Sequence, residues 1–326
     1  MVLKKMSDIS ILFCGDFAPC RRFESLVLET KEQVLGDALP HIQNSDFSFV
    51  NLECPLTHHN KIIRKSGPAL KADPVCVDAL KSFSVIGLAN NHVLDYRKQG
   101  LADTLATCQK VGLPTVGAGL NLKQSQKPFI QEVKGVKIAL IAIAEHEFNQ
   151  SEKGGSGSAP IDAIDNYHQV KQAQLKADIV IITLHGGNEY FPYPRPGLRR
   201  LCRHYIDLGV EAVVCHHPHV PGAYEYYQGR PIIYSLGNLI FDVDNPPLYW
   251  DLGYMAQLRF SVENKKFEEL KIIPYKQSIE LGGIQLLKKQ EKTDFLFRIE
   301  NCRKTLENQD AWLTEWESFV SKQADS

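Results

Sequence analysis

Residues 211–224 read EAVVCHHPHVPGAY, an apolar run that ends abruptly in His216, His217, Pro218 and His219. A short continuous run of this kind is the pattern of a strand buried on both faces, which puts the imidazoles at its carboxyl end. Neutral imidazole is the commonest metal-ligand side chain, and His217 and His219 can aim at one site if the backbone leaves strand geometry after Cys215. Pro218 fixes φ between them and stiffens the turn. A polar surface turn looks the same locally, so the decision rests on whether other segments supply further ligands.

Working outward, other apolar runs end in the same way. Residues 9–14 stop at Gly15-Asp16, DFSFV (46–50) at Asn51-Leu52-Glu53, and SVIGLA (84–89) at Asn90-Asn91-His92, with Asp95 close behind. DIVIITL (178–184) stops at His185-Gly186-Gly187-Asn188-Glu189-Tyr190, and the pair AYEYYQG and RPIIYSLG ends at Asn238 and Asp242. In an α/β sheet such carboxyl ends share one edge, where ligands bind. Each residue alone has a plainer explanation: His92 beside two asparagines as a helix cap, His185 as a core histidine, Asp16 and Glu53 as caps. Five segments failing that way at one edge is a poor account.

The intervening chain reads as helices at 31–44, 75–82, 98–111, 162–177 and 197–208, a hairpin of 128–133 and 136–144 around Lys134-Gly135, and strands at 251–260 and 267–275. GLPTVGAG lacks the rest of either nucleotide fingerprint and reads as a strand and a tight turn. Residues 57–74 read as a surface loop whose Lys61, Arg64, Lys65 and Lys71 either meet an anionic substrate or form a solvated face. SEKGGSGSAP (151–160) is a lid or an exposed insertion. The tail, 292–322, is charged and helical, with Trp312 and Trp316 at i, i+4 to pack on the body. We therefore expect one domain over 1–290 and a helical extension, 291–326, packed on it.

With 326 residues, 44% hydrophobic and 23% charged, the chain is long enough for a large α/β core. A net charge of −1 gives no electrostatic footprint for nucleic acid or an anionic membrane. No apolar stretch approaches the roughly 18 to 20 residues of a membrane span, and MVLKKMSDISILFCGDF does not read as a secretory signal, so a cytoplasmic location is expected. The eight cysteines lack a C-x-x-C pair and read as reduced, buried thiols. A homo-oligomer is compatible with this composition.

Two carboxylates, an amide oxygen and up to four imidazoles exceed the needs of one tetrahedral zinc and suit a pair of divalent ions with N and O ligands. Such a pair, roughly 3.5 to 4 Å apart, clamps a phosphoryl group and activates water.

The segments GDF, NLECPLT, LANNHVLDY, LHGGNEY and HHPHVPGAYEYYQGRPIIYSLGNLIFD resemble those of the CapA capsule-synthesis (poly-γ-glutamate synthesis) family, a branch of the calcineurin-like metallophosphoesterases, over roughly residues 9 to 245. The resemblance implies a four-layer αββα sandwich of two mixed sheets flanked by helices. It implies metal ligation by Asp16, Glu53, Asn91, His185, His217 and His219, with Glu53 bridging, and a catalytic His92 acting on the substrate. Asn51, Asn90, Asp95, Glu189, His216, Asn238 and Lys65 are expected to support these ligands or meet the substrate. The wider phosphoesterase pattern has histidine where this chain has Ala18, and aspartate where it has Glu53. The expectation is one or two ions of Mn, Fe or Zn and a metal-dependent hydrolase acting on an anionic small molecule or polymer. A metal-bearing protein that binds poly-γ-glutamate without turnover is the alternative.

Overall fold

In the computed structural model, which describes residues 8–151 and 155–324, the run Ile9–Ala18 is a ten-residue strand buried along almost its whole length. Side chains alternate across a strand, so Ile9, Ile11 and Phe13 enter one core and Leu12 and Cys14 another. This strand is the centre of the larger sheet. Phe47–Leu52 and Asn238–Phe241 pair with it in parallel, and Leu252–Phe260 in antiparallel. Val85–Gly87 and Thr115–Val116 continue the parallel side; Phe267–Ser278 and Gly283–Leu286 continue the antiparallel side.

The second sheet is built on three parallel strands, Val136–Ala144, Ile179–His185 and Ala212–His216. Arg230–Ile233 adds a fourth parallel strand, and Phe129–Val133 and Tyr224–Tyr227 close the two edges in antiparallel. The apolar core between the sheets takes Phe13, Phe49 and Val85 from one and Leu140, Ile181 and Val214 from the other. A second core lies under the helices Arg22–Thr30 and Arg97–Lys110 on the first sheet, and a third under Ala163–Gln174 and Pro196–Asp207 on the second. Three cores between four layers make the αββα sandwich that the resemblance implied.

Several local expectations need correction. Residues 31–44 are not one helix: a 3₁₀ segment, Lys31–Ala38, contains Gly36 at φ 44°, and a short helix, Leu39–Gln43, follows. The interruption has a cause, since a Cβ on Gly36 would lie 2.1 Å from the Ile284 carbonyl oxygen. The 75–82 segment is a 3₁₀ helix, Pro74–Leu80, and the helix Arg22–Thr30 and strand Gly283–Leu286 were not anticipated. RPIIYSLG does not run on to Asn238. Its strand stops at Ile233, Gly237 turns at φ 75°, and Asn238–Phe241 joins the other sheet beside Asp16. Gly15 lets this crossing approach, because a Cβ there would lie 2.0 Å from the Gly237 carbonyl oxygen.

Within 151–160, residues 152–154 lie outside those described, and Gly157–Ser158 is a buried strand paired with Ala118–Gly119 rather than an exposed insertion. The C-terminal helices Lys289–Glu307 and Gln309–Ala324 place Trp312 in the third core, with Nε1 donating to the Pro194 carbonyl at 2.9 Å. The Arg199 guanidinium stacks 4.5 Å above that indole, and Trp316 and Phe319 pack on Phe191. All eight cysteines are buried and unbridged. Among the described residues, no helix is long and apolar enough to cross a membrane.

Candidate metal centre

The carboxyl ends of both sets of parallel strands meet on one side of the sandwich, and the polar residues beyond them come together there. Strand Ala212–His216 continues one residue further than Cys215, and the backbone then turns through His217 at φ 99° and His219 at φ 60°. Positive φ in a non-glycine residue is strained and is held here by its surroundings. The His217 amide donates to Asp16 Oδ2 at 3.1 Å, and Asn238 Oδ1 lies 3.0 Å from His219 Nδ1. The turn thus faces both histidines inward.

Asp16 is a hub. Its Oδ1 accepts from Asn51 Nδ2 at 2.7 Å and faces His216 Nδ1 at 3.1 Å. Burial alone would raise the Asp16 carboxyl, but the hydrogen bonds to His216 and His219 outweigh it and hold it well below the ordinary carboxylate range. His216, whose ring lies 5.6 Å from that of Phe49 in the core between the sheets, reaches Asp16 from that side, and among the described residues it belongs to none of the clusters able to hold an ion. Asn51 also lies 3.2 Å from His185 Nδ1, and Asn90 donates to Asn51 Oδ1 at 3.2 Å and to the Leu52 carbonyl at 2.8 Å. Asn51 and Asn90 orient other residues of the site.

Glu53 behaves differently. It is fully buried, and neither carboxylate oxygen has a hydrogen-bond partner. Its Oε1 lies 3.4 Å from His185 Nε2 and 3.6 Å from His219 Nε2, while Asn91 Oδ1 lies 3.1 Å from the same His185 nitrogen. Burial, and then the charge of Asp16, push the Glu53 carboxyl well above its ordinary value; burial, and then His217, push the His185 imidazole well below its own. Electron-pair donors converge here with too few protons to join them. A divalent cation with N and O ligands meets that demand, so the residues fit the ion that the fold suggests.

Two groups share Glu53: Glu53, His185 and His217, and Asp16, Glu53 and His219, each with ligand atoms within 4.8 Å of one another. A third group, Glu189, His217 and His219, shares both closing histidines, and Glu189 is exposed.

His92 sits in an adjoining arrangement. Asp95 Oδ2 lies 2.6 Å from His92 Nδ1 and accepts the Leu70 amide at 2.7 Å, while Lys65 Nζ bonds Asp95 Oδ1 at 2.7 Å. Lys65, expected to support the ligands or meet the substrate, comes from the loop whose basic residues read either as a substrate contact or as a solvated face; its side chain is only 7% exposed and serves Asp95. Lys61 and Arg64 are exposed. Burial lowers the His92 imidazole, opposed by Asp95.

The sequence reading missed Glu147, which accepts from Asn91 Nδ2 at 3.0 Å and stands 3.6 Å from His217 Nε2. Glu147 lies three residues past the strand Val136–Ala144, so the strand-end rule applied to that strand would have found it. It also missed Phe241 and Trp250, whose rings lie 4.9 and 5.1 Å from that of His219. Ala18 pairs with Phe241 and shares its core with both aromatics, so the flank beside position 18 is apolar.

Comparison with known proteins gives the lineage of this site. The model of the bacterial capsule synthesis protein PGA_cap family matches residues 10–243, which carry every one of the residues just described except Trp250. The chain belongs to that family.

The PGA biosynthesis protein CapA of Bacillus subtilis is 30% identical over 94% of this chain and 84% of its own length. The capsule biosynthesis protein CapA of Bacillus anthracis is 32% identical over 73% of this chain, which spans 61% of that relative. Among solved structures, a novel phosphatase of Mycoplasma pneumoniae aligns with a TM-score of 0.51 at 16% identity, over 82% of this chain and 94% of its own. That likeness concerns the fold of this PGA_cap member.

Proposed function

We propose that this PGA_cap protein is a metal-dependent hydrolase of phosphoester type, acting on an anionic substrate at the cluster of Asp16, Glu53, Asn91, His185, His217 and His219. The observation that carries this reading is Glu53, a fully buried carboxylate without a hydrogen-bond partner among three imidazoles. One or two ions of Mn, Fe or Zn would be held by these residues, with Glu53 common to both groups. Bound there, a divalent ion polarises a phosphoryl oxygen and lowers the pKa of water toward neutrality.

The chain supplies the rest. Asn51, Asn90, His216 and Asn238 fix the orientation of Asp16, His185 and His219. With Nδ1 of His92 taken by Asp95, Nε2 is the nitrogen left to give a proton to the leaving oxygen. Lys65 holds Asp95 in place from the other side. The expected result is hydrolysis of a generic phosphomonoester or diester that depends on added Mn²⁺ and is lost in His92→Ala. Turnover identical in chelator-treated and Mn²⁺-loaded protein defeats the proposal.

A second reading has its own support. The apolar flank of Ala18, Phe241 and Trp250 leaves His219 with no nitrogen donor on that side. A centre so altered suits a protein that holds an anionic polymer without cleaving it, and the relatives named for PGA and capsule biosynthesis make poly-γ-glutamate the polymer to test. Titrating poly-γ-glutamate against the Mn²⁺-loaded protein while assaying product separates the two, since saturable binding without product supports only this one.

A further inference from the structure

The ring of His219 is enclosed on several sides. Phe241 and Trp250 pack on it, Trp250 is fixed by a 2.7 Å bond from Nε1 to the Phe241 carbonyl, and Asn238 occupies Nδ1. Ligands for an ion on His219 must therefore come from beneath, where Asp16 and Glu53 lie, or from the mouth of the site.

From the mouth comes Glu189. Its carboxylate, His217 and His219 place ligand atoms within 4.8 Å of one another. Glu53 reaches the same two histidines, in two other groups. None of these groups contains both carboxylates, and Glu53 is fully buried where Glu189 is exposed. His217, 4% exposed, also carries a buried Nδ1 with no hydrogen-bond partner.

The backbone holds Glu189 to this position. The Gly186 amide donates to the His216 carbonyl at 3.0 Å, and the Tyr190 amide donates to the Pro218 carbonyl at 2.9 Å. Between those bonds the chain passes Gly187 at φ 123° and turns at Tyr190 with φ 64°. The segment bearing Glu189 is thus stitched at both ends to the turn bearing His217 and His219.

We propose that Glu189 is a metal ligand, a carboxylate that closes the centre from its mouth and completes the ion on His219 where the aromatic flank offers nothing. The inference rests on the metal-centre reading above and deepens it. It assigns Glu189 to the ion rather than to the substrate.

Isothermal titration of the chelator-treated full chain with Mn²⁺, together with metal counting after dialysis, tests it without any substrate. Glu189→Gln is compared with the wild type, with Glu53→Gln, and with Glu263→Gln on an exposed turn as control. The metal-free melting temperature confirms that each variant folds. The expected result is that Glu189→Gln weakens the least tightly held Mn²⁺ about tenfold or more, at least the loss that follows when a residue merely supporting a ligand is removed, while Glu263→Gln, exposed on its turn, changes nothing. Weakening of less than fivefold in Glu189→Gln, with the wild type binding Mn²⁺ and Glu53→Gln losing it, overturns the assignment and leaves the centre standing. A wild type that takes up no divalent ion overturns both.

Discussion

Glu53 and His185 face each other with Oε1 3.4 Å from Nε2, and no hydrogen-bond donor satisfies either Glu53 oxygen. Burial and the charge of Asp16 raise the Glu53 carboxyl, so the metal-free chain loses stability as pH rises from the ordinary glutamate range toward the raised folded value, because the unfolded chain gives up this proton and the folded one keeps it. Glu53→Gln removes that burden. The metal-free variant should be more stable than the wild type at pH 7, because a neutral amide has no ionisation to suppress, while losing the rise in melting temperature that Mn²⁺ gives the wild type. Melting curves with chelator and with Mn²⁺ check both; a variant that Mn²⁺ still stabilises would remove Glu53 from the ligand set.

His92 tests the division of labour between binding and turnover. Its ring is held by Asp95 and, among the described residues, lies outside every cluster able to hold an ion. His92→Ala should leave Mn²⁺ content unchanged and lower kcat on a phosphoester about 10²–10⁴-fold, the usual worth of a positioned general acid. Loss of metal along with activity would instead make His92 a ligand.

Lys65 is predicted to matter for folding as well as rate. Replacing it leaves Asp95, which is fully buried, without its cation. Lys65→Met should therefore destabilise the chain by about 3 kcal/mol, the order seen when one partner of a buried pair is removed, and should lower kcat by freeing the His92 ring. Urea unfolding and steady-state kinetics measure the two effects, and a fully stable, fully active variant contradicts the role.

Glu225 carries a prediction about acid. Burial would raise its carboxyl, but Arg203, Arg199 and Tyr234 outweigh burial and bring it down to about 2 from 4.5. A depressed folded-state value gives stability that is complete above the unfolded value and is lost as pH falls from about 4.5 toward 2. The shift corresponds to about 3 kcal/mol at neutral pH. Glu225→Gln should cost the chain that order of stability at pH 7 and progressively less below pH 4.5, followed by urea unfolding across the range; a loss independent of pH would show that charge is not the cause.

What could be read from the sequence followed a physical rule. Long apolar runs such as 9–14 and 178–184 have no other home than a doubly covered sheet, and the polar residues after them must then gather at one edge. Asp16, Glu53, Asn91, His185, His217 and His219 were all legible in this way, and the structure places them together. Glu147 was lost in a stretch without periodicity, although it too follows a strand. Gly36 and the crossing at Gly237 depend on contacts with Ile284 and Gly15, far away in sequence, which no local pattern encodes. Lys65 is expected at the site, but its partner could not be read, because nothing in its neighbours announces Asp95, thirty positions on. Phe241 and Trp250 read as ordinary core, and only the fold shows them against His219.

The antiparallel pairing of Ile9–Phe13 with Ala256–Phe260 separates the span of the family model from the unit of folding. The match to the family model ends at residue 243, just beyond the last strand that borders the candidate metal centre, yet the first strand of the match is hydrogen-bonded along one side to chain outside it. A fragment cut at that boundary would hold every proposed ligand and still present a raw, apolar sheet edge to solvent, ready to recruit another chain. Expression trials that trim the protein to residues 10–243 should accordingly yield aggregates, whatever the chemistry of the centre.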